Sequence, residues 1–178
     1  MVNSIIKWGL MCGGVMTLFL FVPYFLFFND GPQNFVAAEI AGYVGMVAAL
    51  LVIVLAINTH FKGADQSVTI WQRLVLGLGV TFIGGLIFGL ANNVYSFWIN
   101  PEFTDAYFDY YIAQLPTQEG PEYQKSVADL QAQREMFGSP FMSFLVMAAT
   151  VWMIGIVISI VAGIGHWYFT RRNARAKA

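Results

Sequence analysis

Charge is what this chain has least of. Only 11% of its 178 residues are Asp, Glu, Lys or Arg, while 58% are hydrophobic; a water-soluble domain carries roughly a quarter of its residues as charges. Cysteine occurs once, as Cys12, which excludes an intramolecular disulfide and leaves the redox compartment open. Histidine occurs twice, as His60 and His166. Zinc takes three or four ligands and only Asp65 lies near either histidine in sequence, so no metal site is expected. The chain also lacks a phosphate-binding glycine loop, a dinucleotide fingerprint, an HExxH helix and a nucleophile elbow. Its basic residues follow no recognisable nucleic-acid-binding pattern. With no catalytic constellation in view, we expect no enzyme, no cofactor and no nucleic-acid partner.

What the sequence does have is four long apolar runs, at about residues 8–28, 40–61, 74–99 and 141–170. Each exceeds the roughly 18 to 20 residues that a helix needs to cross a bilayer. A backbone in hydrocarbon must satisfy its own amides, which only helices and closed barrels do, and these runs do not alternate as barrel strands would. The first run is too long for a signal-peptide core and no small-residue cleavage site follows it, so it counts as a span. The predicted fold is an all-α integral membrane protein, one domain over residues 1–178. Four transmembrane helices are expected, with an outer amphipathic helical hairpin, about residues 100–139, between spans three and four.

The few charges are distributed unevenly. Lys7, Lys62, Arg73, Arg171, Arg172, Arg175 and Lys177 flank the span ends on one side; Lys125 and Arg134 fall on the other. By the positive-inside rule both termini are expected in the cytoplasm. Trp71 and Arg73 are expected at headgroup level, and Asp30-Gly31-Pro32 reads as the turn after span one.

Span three carries small or polar residues every fourth position: Gly77, Thr81, Gly85, Gly89 and Asn93. Span four repeats the device with Gly155, Ser159 and Gly163, and span one with Gly9 and Gly13. In lipid little hydrophobic force draws helices together, so close backbone approach along such seams is the expected basis of packing. Beyond them, Asn100-Pro101 reads as a helix start, with Phe103, Tyr107, Phe108, Tyr111, Ile112 and Leu115 on one face. A second helix is expected over residues 121–137, bracketed by Gly120 and Gly138.

The order of these features resembles one bacterial inner-membrane family, domain of unknown function forty-one ninety-nine. The resemblance rests on Glu39 before Gly42-Tyr43, a loop ending in Trp71, and Trp98 then Asn100-Pro101 with Phe103 and Tyr107. Pro140-Phe141 leading to Gly155 and Ser159 completes it. It implies a four-span protein of the bacterial inner membrane with an outer helical insertion, and supplies no activity or catalytic residues. Members often show an acidic residue and a proline within span four, where this chain has Thr150 and Met153.

Two readings of the polar residues stand side by side. Asn92 and Asn93 serve as interhelical hydrogen-bonding glue, or with Glu39 and Tyr95 they wall a polar pocket open to the outside. Glu39 itself reads first as a helix-start carboxylate among headgroups. The function expected is non-catalytic binding of a partner protein or lipid through the helix seams and the outer aromatic hairpin, in contact with the bilayer, with a homo-oligomer or another membrane protein as possible partner. The alternative is an oligomeric channel or transporter component with an outward-facing vestibule.

Overall fold

The apolar runs form rods, since each amide inside them finds its partner four residues away and asks nothing of the surroundings. A computed structural model describes residues 1–27, 35–63, 68–116 and 118–175. The helices are α1 (Val2–Phe27), α2 (Phe35–Leu50), α3 (Val52–His60), α4 (Ile70–Val94), α5 (Phe103–Ala113), α6 (Pro121–Gly138) and α7 (Pro140–Arg175). A single π turn, Tyr95–Ile99, prolongs α4. The described residues contain no strand. Among the described residues four segments are long and apolar enough to span a membrane: Val2–Val22, Phe35–His60, Ile70–Ile99 and Pro140–Arg172. The second is one rod, α2 and α3, interrupted only at Leu51, where the amide is shared between two carbonyls at 3.2 Å. The expected Asp30-Gly31-Pro32 turn, Asp65 and Lys177 lie outside the described residues.

These rods turn apolar side chains outward, Leu18, Val44, Leu55, Phe82, Leu90, Val157 and Val161 among them. In water so much exposed hydrocarbon would be a liability; against lipid it is the required surface. Trp71 and Trp98 are 71% and 85% exposed and sit near opposite ends of α4. Their 27-residue separation spans about 40 Å of helix, the distance between the two headgroup regions.

Cross-helix contacts fix the directions. Ile5 meets Gly79 and Ile83 meets Gly9, so α1 and α4 run parallel. Phe19 packs on Gly45, and Ser4 reaches His60, so the α2–α3 rod runs against α1. Ser159 meets Gly77 and Phe144 meets Gly89, so α7 runs against α4. Alternating rods bring the start of α1 and the end of α7 to one end of the bundle and the α5–α6 hairpin to the other. We call these the terminal end and the lid end.

Packing differs along the rods. In the terminal half α3 packs against α1, α4 and α7, and its Ile53, Ala56 and Ile57 are wholly buried with Leu76, Val80 and Val151. In the lid half α2 leans on α1, barely meets α7, and stands away from α4. The gap is roofed by α5 and α6. Phe35, in the first turn of α2, packs against Phe103, Tyr107 and Tyr110 with ring centroids 5.3–5.9 Å away. Arg134 of α6 bonds Asp105 at 2.7 Å and Asp109 at 2.8 Å, one guanidinium fastening two successive turns of α5.

The start of α5 differs from the sequence expectation. The helix begins at Phe103, and Asn100 does not cap it; its side-chain amide turns back and donates to Tyr95 Oη at 3.3 Å. The π turn is the reason, because the Asn100 amide bonds the carbonyl five residues earlier at 2.8 Å and keeps Asn100 attached to α4. At α6, Gly120 adopts φ +97°, which favours glycine, while Gly138 is the last helical residue and Ser139 follows as cap.

Candidate functional site

The small-residue seams meet one another inside the chain. Gly77 faces Ser159, Gly155 receives the methyl group of Thr81, Gly85 takes the Trp152 ring, Gly89 takes Phe144, and Leu74 covers Gly163. Gly9 and Gly13 receive Ile83 and Ile87 on the other side of α4. A β-carbon at Gly77 would lie 2.9 Å from that of Ser159, closer than van der Waals contact allows. Thr81 Oγ1 adds a hydrogen bond to the Gly77 carbonyl at 3.0 Å and pairs with Ser159 Oγ at 3.2 Å, worth about 0.6 kcal/mol per interhelical bond in lipid. Thus the seams on α4 and α7 are filled by this chain's own side chains.

Asn92 and Asn93 both reach α7. Asn92 is 8% exposed and donates to Ser143 Oγ at 3.2 Å; Asn93 donates to the Pro140 carbonyl at 2.7 Å. The seam continues through Asn92, whereas the four-residue spacing pointed to Asn93. Each four-residue step overshoots a 3.6-residue turn by about 40°, so after Gly89 the facing position falls back to the third residue. Asn93 Oδ1 is buried without a hydrogen-bond partner among the described residues.

Between α1, α2, α4 and α7, beneath α5, lies a cavity of about 430 Å³. Glu39, Asn92 and Tyr95 line it and Asn93 does not. The π turn supplies Tyr95 and Ser96, both buried. Away from the lid the wall is mostly apolar, formed by Met16, Met46, Phe88, Val146 and Met147, and its one polar member, Thr150, donates its hydroxyl to the Val146 carbonyl at 2.9 Å. Beyond this wall Leu50, Ile53, Leu76, Val80 and Val151 are fully buried and fill the bundle. Two lining residues, Phe19 and Tyr43, are 43% and 51% exposed. Their exposure makes the cavity wall continuous with the lipid-facing surface.

Glu39 stands at the lid side. Since α2 starts at Phe35, the carboxylate belongs to the second turn and not to the helix start, where the helix dipole would have held it. It is half-buried and accepts the Tyr111 hydroxyl on Oε2 at 2.6 Å. That bond, with burial adding to it, holds the Tyr111 phenol well above its ordinary value. Tyr111 therefore remains a donor at physiological pH. Tyr107, one turn earlier, is raised too, by burial first and then by the charge of Glu39. Tyr111 links lid to wall across 72 residues of sequence, a separation that no local pattern signals.

The terminal end holds a second polar group. His60 Nδ1 pairs with Ser4 Oγ at 2.9 Å, and His166 Nδ1 accepts Arg73 Nε–H at 2.9 Å, with Phe61 packed against both imidazoles. Among the described residues no three His, Cys, Asp or Glu side chains converge as a metal site. Arg73, read from sequence as a headgroup residue, is 1% exposed. It donates through Nη1 to the carbonyls of Val68 and Thr69 and lies over Phe61 at 5.3 Å. A guanidinium has five donors, and here backbone, imidazole and ring stand in for water.

Four lipid-length rods around a roofed cavity define a polytopic helical membrane protein. Residues 7–165 match the family described as protein of unknown function (DUF4199), and the chain belongs to that family. No curated protein and no solved structure matches it.

Proposed function

We propose that this protein is a non-catalytic binding protein of the bacterial inner membrane. In this reading both termini face the cytoplasm, the lid faces outward, and one lipid or lipid-like amphiphile occupies the cavity beneath α5. One observation carries the reading: a cavity of about 430 Å³ that is mostly apolar at depth and holds Glu39 among aromatic rings under the lid, with lipid-facing residues in its wall. That size lies within the range of small-molecule sites, about 300–1,000 Å³. An amphiphile needs this gradient, hydrocarbon at one end and hydrogen-bonding groups at the other. A pore through one chain is the weaker reading, because the terminal half is filled by wholly buried side chains.

The test is native mass spectrometry of the full chain extracted from membranes in mild detergent, beside a Gly42→Leu variant. Gly42 lines the cavity and a β-carbon there meets nothing within 4 Å, so a side chain can start there without a clash and leucine adds bulk to the wall. The wild type is expected to carry one amphiphile, and the variant to unfold at the same temperature but carry none. Wild-type protein that emerges without any bound lipid, or a variant that retains it fully, contradicts the proposal.

A further inference from the structure

The cavity lining holds one carboxylate, Glu39, and no lysine, arginine or histidine. Both described ion pairs belong to Arg134, which is committed to Asp105 and Asp109 on the exposed face of α5. The only other basic residue in the lid, Lys125, is exposed and absent from the lining. Glu39 receives the Tyr111 hydroxyl, which takes one of the roughly four acceptor positions of a carboxylate and brings no charge. A carboxylate at the rim of an apolar cavity normally has a cation beside it. Among the described residues none stands beside Glu39.

Aromatic rings make up much of the wall around this carboxylate. Phe35 and Tyr107 meet at an interplanar angle of 90°, Tyr107 and Phe108 at 83°, and Tyr95 and Phe103 at 72°. These are edge-to-face contacts among residues that all line the one cavity, and a ring face open to it attracts a desolvated cation by up to about 2 kcal/mol. Tyr95 and Phe103 continue the wall from the π turn to the lid.

Resting on the binding function proposed above, we infer that the cavity selects an organic cation, an ammonium group set against Glu39 and enclosed by the rings of Phe35, Tyr107 and Phe108. Charge neutralisation comes from Glu39, and the aromatic wall favours a soft, weakly hydrated ammonium over a metal ion. Asn92, Ser96 and Thr104 lie on the same lining and accept hydrogen bonds from an ammonium that still carries protons. Two sources offer this chemistry, an ammonium-bearing lipid headgroup and a free organic cation, and the cavity's apolar depth favours the one that brings a hydrocarbon tail.

The experiment titrates the full chain in maltoside micelles and counts adducts by native mass spectrometry. The probes are decyltrimethylammonium, decyl sulfate of equal chain length, and tail-less tetraethylammonium. Decyltrimethylammonium is expected to bind about tenfold more tightly than decyl sulfate. Glu39→Gln should abolish that preference, weakening decyltrimethylammonium and tightening decyl sulfate as the like-charge repulsion is lifted. Tyr111→Phe, which removes the hydrogen bond to Glu39 but leaves the carboxylate, should retain the preference and so separates charge from lid geometry. Tighter binding of the decyl compound than of tetraethylammonium supports a lipid headgroup, and equal binding supports a soluble cation. Equal affinity for the ammonium and the sulfate overturns the inference and leaves the binding proposal standing. No binding of either decyl probe overturns both.

Discussion

Where α3 crosses α4 no space is left between them; a few turns further along, α2 stands off the same rod and leaves a cavity of about 430 Å³. Both halves are built from the same apolar residue types, so hydrophobicity does not separate them. What differs is where the small residues sit and what fills them. In the terminal half, glycines lie opposite Ile83, Ser159, Thr81 and Trp152, and each vacancy receives a side chain. In the lid half Gly45 and Gly89 are filled in the same way, by Phe19 and Phe144, but Gly42, on the cavity wall, meets nothing, and Phe35 turns to the lid instead of to α4. In lipid, where apolar area alone gives no adhesion, fit decides which parts of a bundle close. The half that fits is a scaffold, and the half that does not fit holds the site.

The sharpest way to break this contrast is to add volume on both sides of it. Gly155→Val drives a side chain into Thr81 and should cost about 3 kcal/mol, the upper end for overpacking. Gly42→Leu, by comparison, should be nearly silent in the same unfolding assay. If the two variants unfold alike, the halves are not packed differently.

A smaller effect is expected at the latch. Tyr111→Phe should destabilise the lid by about 1 kcal/mol, read as faster amide exchange across α5 with no change in α4. In the wild type the Tyr111 value is raised above its unfolded 10.0, so the folded state holds the proton more tightly. Its contribution is fully present below pH 10 and is lost as pH rises through the folded value. Lid exchange that responds to pH between 6 and 9 through this group would contradict the assignment. The smallest effect belongs to Arg134→Ala, which unties two exposed carboxylates. It should speed exchange in α5 and α6 slightly, and only at low salt, where such pairs are least screened.

Much of the architecture was legible because lipid imposes simple rules. Runs of apolar residues long enough to span have only one backbone solution, and the seam of Gly77, Thr81, Gly85 and Gly89 announced close approach, which α7 makes. The amphipathic spacing of Phe103, Tyr107 and Phe108 likewise marked the buried face of α5. Glu39, Asn92 and Tyr95 could be named as polar residues near one membrane face, but their shared cavity could not. That cavity exists because α2 and α4 fail to meet, a property of the pair and of neither sequence alone. The π turn carries no residue signature in YSFWI, and the pairing of Tyr111 with Glu39 joins segments far apart in the chain. Arg73 misled for a different reason. Flanked by Trp71 at the end of an apolar run it has the sequence of a lipid anchor, and only the position of α7 places His166 where it can receive the guanidinium.

The π turn has one further consequence. Five residues occupy a stretch that an ordinary helix covers with four, so the wider turn holds one extra residue and sets Tyr95 and Ser96 together on the cavity wall. Deleting one residue from Tyr95–Ile99 would restore the common pitch and leave the following segment pointing much as before. The roof would keep its place over the carboxylate, and the rim beneath it would lose a side chain.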